Sequence, residues 1–260
     1  MNQERRSGAR KRWCFVAPLL VVMLVAGCAS TVAGAARSAP TPVPRSLTGP
    51  AIEQVLLGDG ALSRILNQPF KIDTHFPPRF GGPEQLLNDR STAPVDCLGV
   101  AAMLQRVVYR SSKVNHVAVE TWRPVAKSVE MTDVAEGVVS LPTAAEARAL
   151  FAKFSRQWRK CDGTTVPLPG RVFRLKAKTT NVRLADSVVA ATVSTGFALP
   201  APDLESIPAG RAIGVRGNCL VEVEVDYFNA SNPPHLGSGD INSSAVEIAH
   251  NMLDKVSALS

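Results

Sequence analysis

Residues 219–228 read Cys-Leu-Val-Glu-Val-Glu-Val-Asp-Tyr-Phe. Val221, Val223, Val225 and Tyr227 fall on one side, and Glu222, Glu224 and Asp226 on the other. That period of two is the signature of a strand. A strand apolar on one face and polar on the other belongs to an antiparallel sheet packed on one side and wet on the other. On this reading the three acids are solvated sheet surface and not paired catalytic carboxylates.

Upstream, 116–123 and 134–141 carry the same strand character, and 172–178 and 187–194 continue it. Between the two pairs lies the clearest helix, 143–161. Thr143 and Glu146 stand at capping-box spacing, in which each side chain satisfies a backbone N–H at the other's end of the first turn. Ala147, Leu150, Phe151, Phe154, Trp158 and Cys161 then fall on one helical face, which assigns Trp158 to core packing, and Gly163 follows as a stop. Residues 95–110 read as a second helix, with Cys97, Val100, Ala101, Leu104, Val107 and Val108 at helical spacing. A final helix is expected over 244–257, capped by Ser244 with Glu247. Short helices are expected over 50–57 and 61–67. Residues 69–94, rich in Pro and Gly, read as a long loop. The pattern is α/β in composition, a largely antiparallel sheet flanked by helices in one domain over 47–260.

The N-terminus is of another kind. Arg5, Arg6, Arg10, Lys11 and Arg12 precede the uncharged run 15–25, FVAPLLVVMLV, and then Val25-Ala26-Gly27-Cys28. A basic start, a short apolar run and small residues before a cleavage point make a signal peptide, here 1–27. The apolar run falls well short of the roughly 20 residues a spanning helix needs. Val-Ala-Gly-Cys resembles the bacterial lipobox, in which the Cys28 thiol accepts a diacylglycerol. Two acyl chains hold a protein on a membrane where one does so only marginally. Residues 28–46, rich in Ala, Ser, Thr and Pro, read as a disordered tether whose composition also permits O-linked sugars. The membrane is thus an expected partner, and the location extracytoplasmic.

The formal net charge of +7 shrinks once the leader is removed, because residues 1–27 hold five basic side chains and one acidic. The remainder carries 24 basic and 21 acidic residues, and a net +3 spread along the chain gives no nucleic-acid footprint. Catalytic signatures are lacking: no Gly-x-Ser-x-Gly turn, no phosphate loop, and Gly237-Ser238-Gly239 has the wrong spacing. His75, His116, His235 and His250 show no metal-ligand spacing, so no metal and no cofactor is expected. A dispersed hydrolase site would require a Ser or Cys within hydrogen-bond reach of His116 or His250. After removal of Cys14 and acylation of Cys28, Cys97, Cys161 and Cys219 remain, enough for one disulfide. Cys161 can pair with either of the others on this reading.

Phe154-x-x-x-Trp158-x-x-Cys161-x-Gly163 after an Ala-rich capped helix resembles the hallmark of the PknH-like extracellular sensor domain. That domain is the outer part of a mycobacterial Ser/Thr kinase and also occurs alone in lipid-anchored proteins. The resemblance continues through Cys97, the valine-rich strand and Ala245-Val-Glu-Ile-Ala249…Lys255-Val256, and so covers 47–260. It implies a single domain with a V-shaped cleft for a ligand. It also implies two disulfides, first Cys with second and third with fourth. Cys97 and Cys161 match the first pair and Cys219 the fourth, while the third is missing near 171–174. A Cys97–Cys161 bridge and a free, buried Cys219 follow from the resemblance. No motif marks the cleft residues. The function implied is a non-catalytic envelope lipoprotein binding a small envelope-derived ligand. The alternative is an interaction module docking an envelope receptor or kinase, and signalling would in either case pass through a partner.

Overall fold

A computed structural model describes residues 45–87, 95–125, 131–168, 175–198, 206–227 and 239–260. The proposed leader, Cys28, most of the tether and His235 lie outside the described residues. The strands are β1 (Phe70–Ile72), β2 (Arg79–Gly81), β3 (His116–Pro124), β4 (Met131–Ser140), β5 (Thr165–Leu168), β6 (Leu175–Ala185), β7 (Val188–Phe197), β8 (Ile207–Arg216) and β9 (Cys219–Tyr227). The helices are α1 (Asp59–Leu66), α2 (Val95–Ala101), α3 (Arg106–Tyr109), α4 (Ala144–Lys160) and α5 (Ser244–Leu259), with 3-10 turns at Gly49–Val55 and Pro83–Gln85.

All nine strands join one sheet in the order β1-β3-β4-β9-β8-β7-β6-β5, with β2 also against β3, and every pair is antiparallel. Each face carries its own core. On one, α5 lays Ile248, Met252, Leu253 and Val256 over Val221, Val223 and Val225 of β9, together with Leu62 and Leu66 of α1. On the other, α2, α3 and α4 lay Leu98, Val108, Phe154 and Trp158 over Val189, Ile213 and Leu220. Thr143 caps α4 by accepting the Glu146 N–H at 3.1 Å, as its spacing predicts. The Cys97–Cys161 disulfide ties α2 to the end of α4, with Cα atoms 5.5 Å apart, and Cys219 is free and buried.

Several sequence expectations are corrected. Residues 69–94 hold β1, β2 and a 3-10 turn, and so are not one loop: strands of three residues are too short to show a period. The expected helix 95–110 breaks after Ala101. Leu104 takes a left-handed backbone, φ 55°, and its N–H turns to the Glu222 carboxylate at 3.2 and 3.3 Å. The N-cap position of α5 is Ser243, whose side chain makes no capping hydrogen bond, and Ser244 is already helical and buried. Strand β8 had no forecast at all. Its Gly210 and Gly214 sit where a Cβ would come within 2.7 Å of the Ile241 carbonyl and 2.9 Å of Leu253, so close contact with α5 and the segment leading into it excludes side chains there. An apolar strand signal is thereby erased.

Candidate functional site

The largest correction concerns Glu222, Glu224 and Asp226. Their face of β9 is not an open sheet surface: Glu222 is buried, while Glu224 and Asp226 stay half-buried. Helices α2, α3 and α4 cover that side of the sheet, and Glu222 keeps only 3 % of its surface. A buried carboxylate needs compensating donors, and Glu222 has three sources of them. The Tyr109 hydroxyl donates to it, the Leu104 N–H donates to both its oxygens, and Arg211 of β8 donates to Oε2 at 3.1 Å. Gly137, beside Glu222 in register, makes this possible, since a Cβ there would meet Leu104 at 2.7 Å.

Arg211 organises the cluster. Its Nε and Nη2 donate to the carbonyls of Val100 and Gly99, both at 3.2 Å, at the frayed end of α2. Its Nη1 stands 3.1 Å from Glu224, and its guanidinium lies 5.8 Å from the Trp158 ring centroid. The planar fork suits this bidentate work in a way that an ammonium would not. The single guanidinium cannot serve every acid. Glu224 is held above its ordinary range by burial, which Arg211 only partly offsets. Asp226 is pushed up to about 9 by burial, then by Glu224 and Asp133. Asp133 of β4 rises to about 6 for the same reasons, burial first, then Glu224 and Asp73.

Two cavities open onto these acids. The larger, about 490 Å³, includes Phe76, Arg79, Val119 and Asp133 in its lining. The smaller, about 300 Å³, includes Ala102, Val193 and Ile207. Leu87, Met103, Glu224 and Asp226 line both, so they form one cleft with an acidic floor and mostly apolar walls. Large apolar side chains stand open at its two ends, Phe76 at 62 % and Ile207 at 50 % exposure.

The described histidines, His75, His116 and His250, do not converge with a nucleophile among the described residues. His116 Nδ1 accepts the Gly49 N–H at 3.2 Å and so pins the segment entering the domain. His75 is exposed on the β1–β2 segment and bonded to Asp73 at 2.9 Å, and His250 lies on α5. Among the described residues no group of three His, Cys, Asp or Glu is arranged to hold a metal ion, and no helix is long and apolar enough to cross a membrane. Trp158 is buried in the core at 1 % exposure, as its helical stripe predicts. Met103 and Leu87, which line the cleft, and Arg211 and Tyr109, which hold Glu222 beside it, were missed. The alternation of Ala209, Arg211, Ile213 and Val215 was the one available signal for Arg211.

A wide antiparallel sheet with helices on both faces, stapled by Cys97–Cys161, makes this a mixed α/β domain. The chain belongs to the PknH-like extracellular domain family, whose model matches residues 47–255. The crystal structure of the extracellular domain of PknH from Mycobacterium tuberculosis superposes with a TM-score of 0.65 at 18 % identity, covering 82 % of this chain and 98 % of that one. The fold is therefore shared. A putative uncharacterized protein from Mycobacterium smegmatis gives a TM-score of 0.38 at 12 % identity, covering 80 % of this chain and 96 % of that one. No curated protein shows a significant match to the chain.

Proposed function

We propose that this chain is a non-catalytic envelope lipoprotein, held on the membrane through Cys28, whose folded domain binds a small ligand in the cleft above Glu224 and Asp226. The observation that carries the reading is the cleft itself. Two cavities meet over shared residues, with Phe76 and Ile207 left open to solvent at its ends. Exposed large apolar side chains around a concave site with few convergent polar groups are what ligand pockets present.

Among the described residues no nucleophile is paired with a histidine base, which favours binding over turnover. His116 is engaged by backbone, and the cleft acids are held by Arg211 or raised toward their neutral forms. An extracellular family and a lipobox both favour the envelope as the source of the ligand.

A thermal-shift series with eight-carbon linear compounds tests the cleft. At least one of octylammonium, 1-octanol and octanoate should raise the melting temperature by mass action. Ala135→Trp, which fills the larger cavity, should remove that rise. If none of the three shifts the native protein, or the shift survives Ala135→Trp, the cleft is not the site.

A further inference from the structure

We infer that the cleft selects a ligand carrying a cationic group, an ammonium or guanidinium on an apolar chain, with the cation seated between Asp226 and Asp133. This rests on the binding reading above and adds the chemistry of the ligand.

The argument begins with charge. Glu222, Glu224, Asp226 and Asp133 come from two adjacent strands and face one guanidinium, Arg211. Arg211 is already engaged: it stands 3.1 Å from both Glu222 and Glu224, and its Nε and Nη2 also donate to the Val100 and Gly99 carbonyls. Asp226, two residues beyond Glu224 on the same face of β9, is only partly offset by Arg211 and forms no salt bridge among the described residues, and Asp133 is its register partner on β4. Two further cations stand near, Arg123 by Asp73 and Arg79 on the cavity lining, and among the described residues neither forms a salt bridge with Asp226 or Asp133. Asp73 adds a further negative charge next to Asp133. His75 is bonded to Asp73, and Arg79 at the cleft rim donates Nη1 to the Gln85 carbonyl at 2.8 Å.

A second observation is independent of charge. Asp226 opens into both cavities, and the walls above it carry Met103, Val119 and Ile207. A cation reaching Asp226 from solvent thus passes between apolar surfaces, which favour an alkyl or aryl stem over a hydrated metal ion. An anionic head group would instead meet like charge, which disfavours binding as strongly as complementarity favours it.

Occupancy also has a proton consequence. Without a ligand the Asp226–Asp133 pair keeps one proton at neutral pH, since burial and like charge raise Asp226 to about 9 and Asp133 to about 6. A bound cation stabilises the carboxylate, so binding at neutral pH releases a proton from the Asp226–Asp133 pair to the buffer.

The test uses three probes with one chain length and different heads: octylammonium, 1-octanol and octanoate. Calorimetric titration of the mature protein at pH 7 should show octylammonium bound at least about tenfold more tightly than either of the others, a preference of the size one charge-assisted contact supplies. Repeating it in buffers of different ionisation enthalpy should reveal net proton release for octylammonium alone. Asp226→Asn, and separately Asp133→Asn, should lose the preference while keeping the octanol affinity and a cooperative melt. Equal or tighter binding of octanol or octanoate overturns the inference and leaves the cleft reading standing. A preference for the cation that survives both variants also overturns it. Binding of none of the three removes the cleft reading and this inference together.

Discussion

Arg211 of β8, which faces Glu224 in register, reaches diagonally to Glu222 of β9 and forms an ion pair at 3.1 Å with 0 % and 4 % of the two side chains exposed. The pair sits under Trp158 and Leu98, where neither charge can be rehydrated. Removing one partner leaves the other as an uncompensated buried charge. Arg211→Ala should therefore destabilise the domain by about 3–5 kcal/mol, read by urea unfolding. A loss below about 1 kcal/mol would show that Glu222 finds water in the native state.

The Cys97–Cys161 bridge closes a separation of 64 residues. Chain-entropy arithmetic for that loop gives about 4 kcal/mol. Cys97→Ser should lower the midpoint accordingly under oxidising conditions and leave it nearly unchanged against a reduced wild type. The remaining thiol, Cys219, is buried and pushed up to about 12 by that burial. A thiol reagent applied to residues 45–260 should label nothing in the native state and one sulfhydryl after denaturation. Rapid native labelling would place Cys219 at the surface.

On the α5 face, Glu136 of β4 lies directly opposite Glu120 of β3 in register. It is fully buried, accepts the Leu57 N–H at 3.3 Å, and is pushed up to about 8 by burial first and Glu120 second, with Lys255 countering only in part. The folded state thus keeps this proton to higher pH than the unfolded chain does. The contribution is fully present below the ordinary glutamate range and is lost as pH climbs to about 8. The domain should be more stable at pH 5 than at pH 8, and Glu136→Gln should flatten the difference by on the order of 3 kcal/mol. A wild-type profile that rises toward pH 8 would contradict the assignment.

Cys28→Ala should release the chain from membranes or leave it unprocessed, measured by fractionation and intact mass. A mature, membrane-bound Cys28→Ala protein would refute lipid attachment at this residue.

How far the sequence could be read varied with the amount of chain each element had to speak through. Helix α4 was legible because 17 residues carry both a cap and a continuous apolar stripe. Strand β9 was legible in direction but not in setting. Alternation reports which residues share a face, and it cannot report what lies above that face. Here that is Leu104, Tyr109 and Trp158, all distant in sequence. Arg211 was hidden for the opposite reason. It stands in a glycine-containing strand whose small residues answer to α5, so its neighbours look like a loop. The cleft residues Leu87 and Met103 lie in short irregular stretches, where neither a period of two nor one of 3.6 can be established. The Cys97–Cys161 pairing came from family resemblance, because spacing alone left Cys161 with two possible partners.

The most direct test of the account is a crystal structure of residues 45–260 grown with octylammonium. The account predicts the ammonium nitrogen within hydrogen-bond distance of Asp226 or Asp133, with the alkyl chain lying along Met103 and Val119. An empty cleft at saturating ligand, or a chain bound elsewhere with its head in solvent, would contradict it.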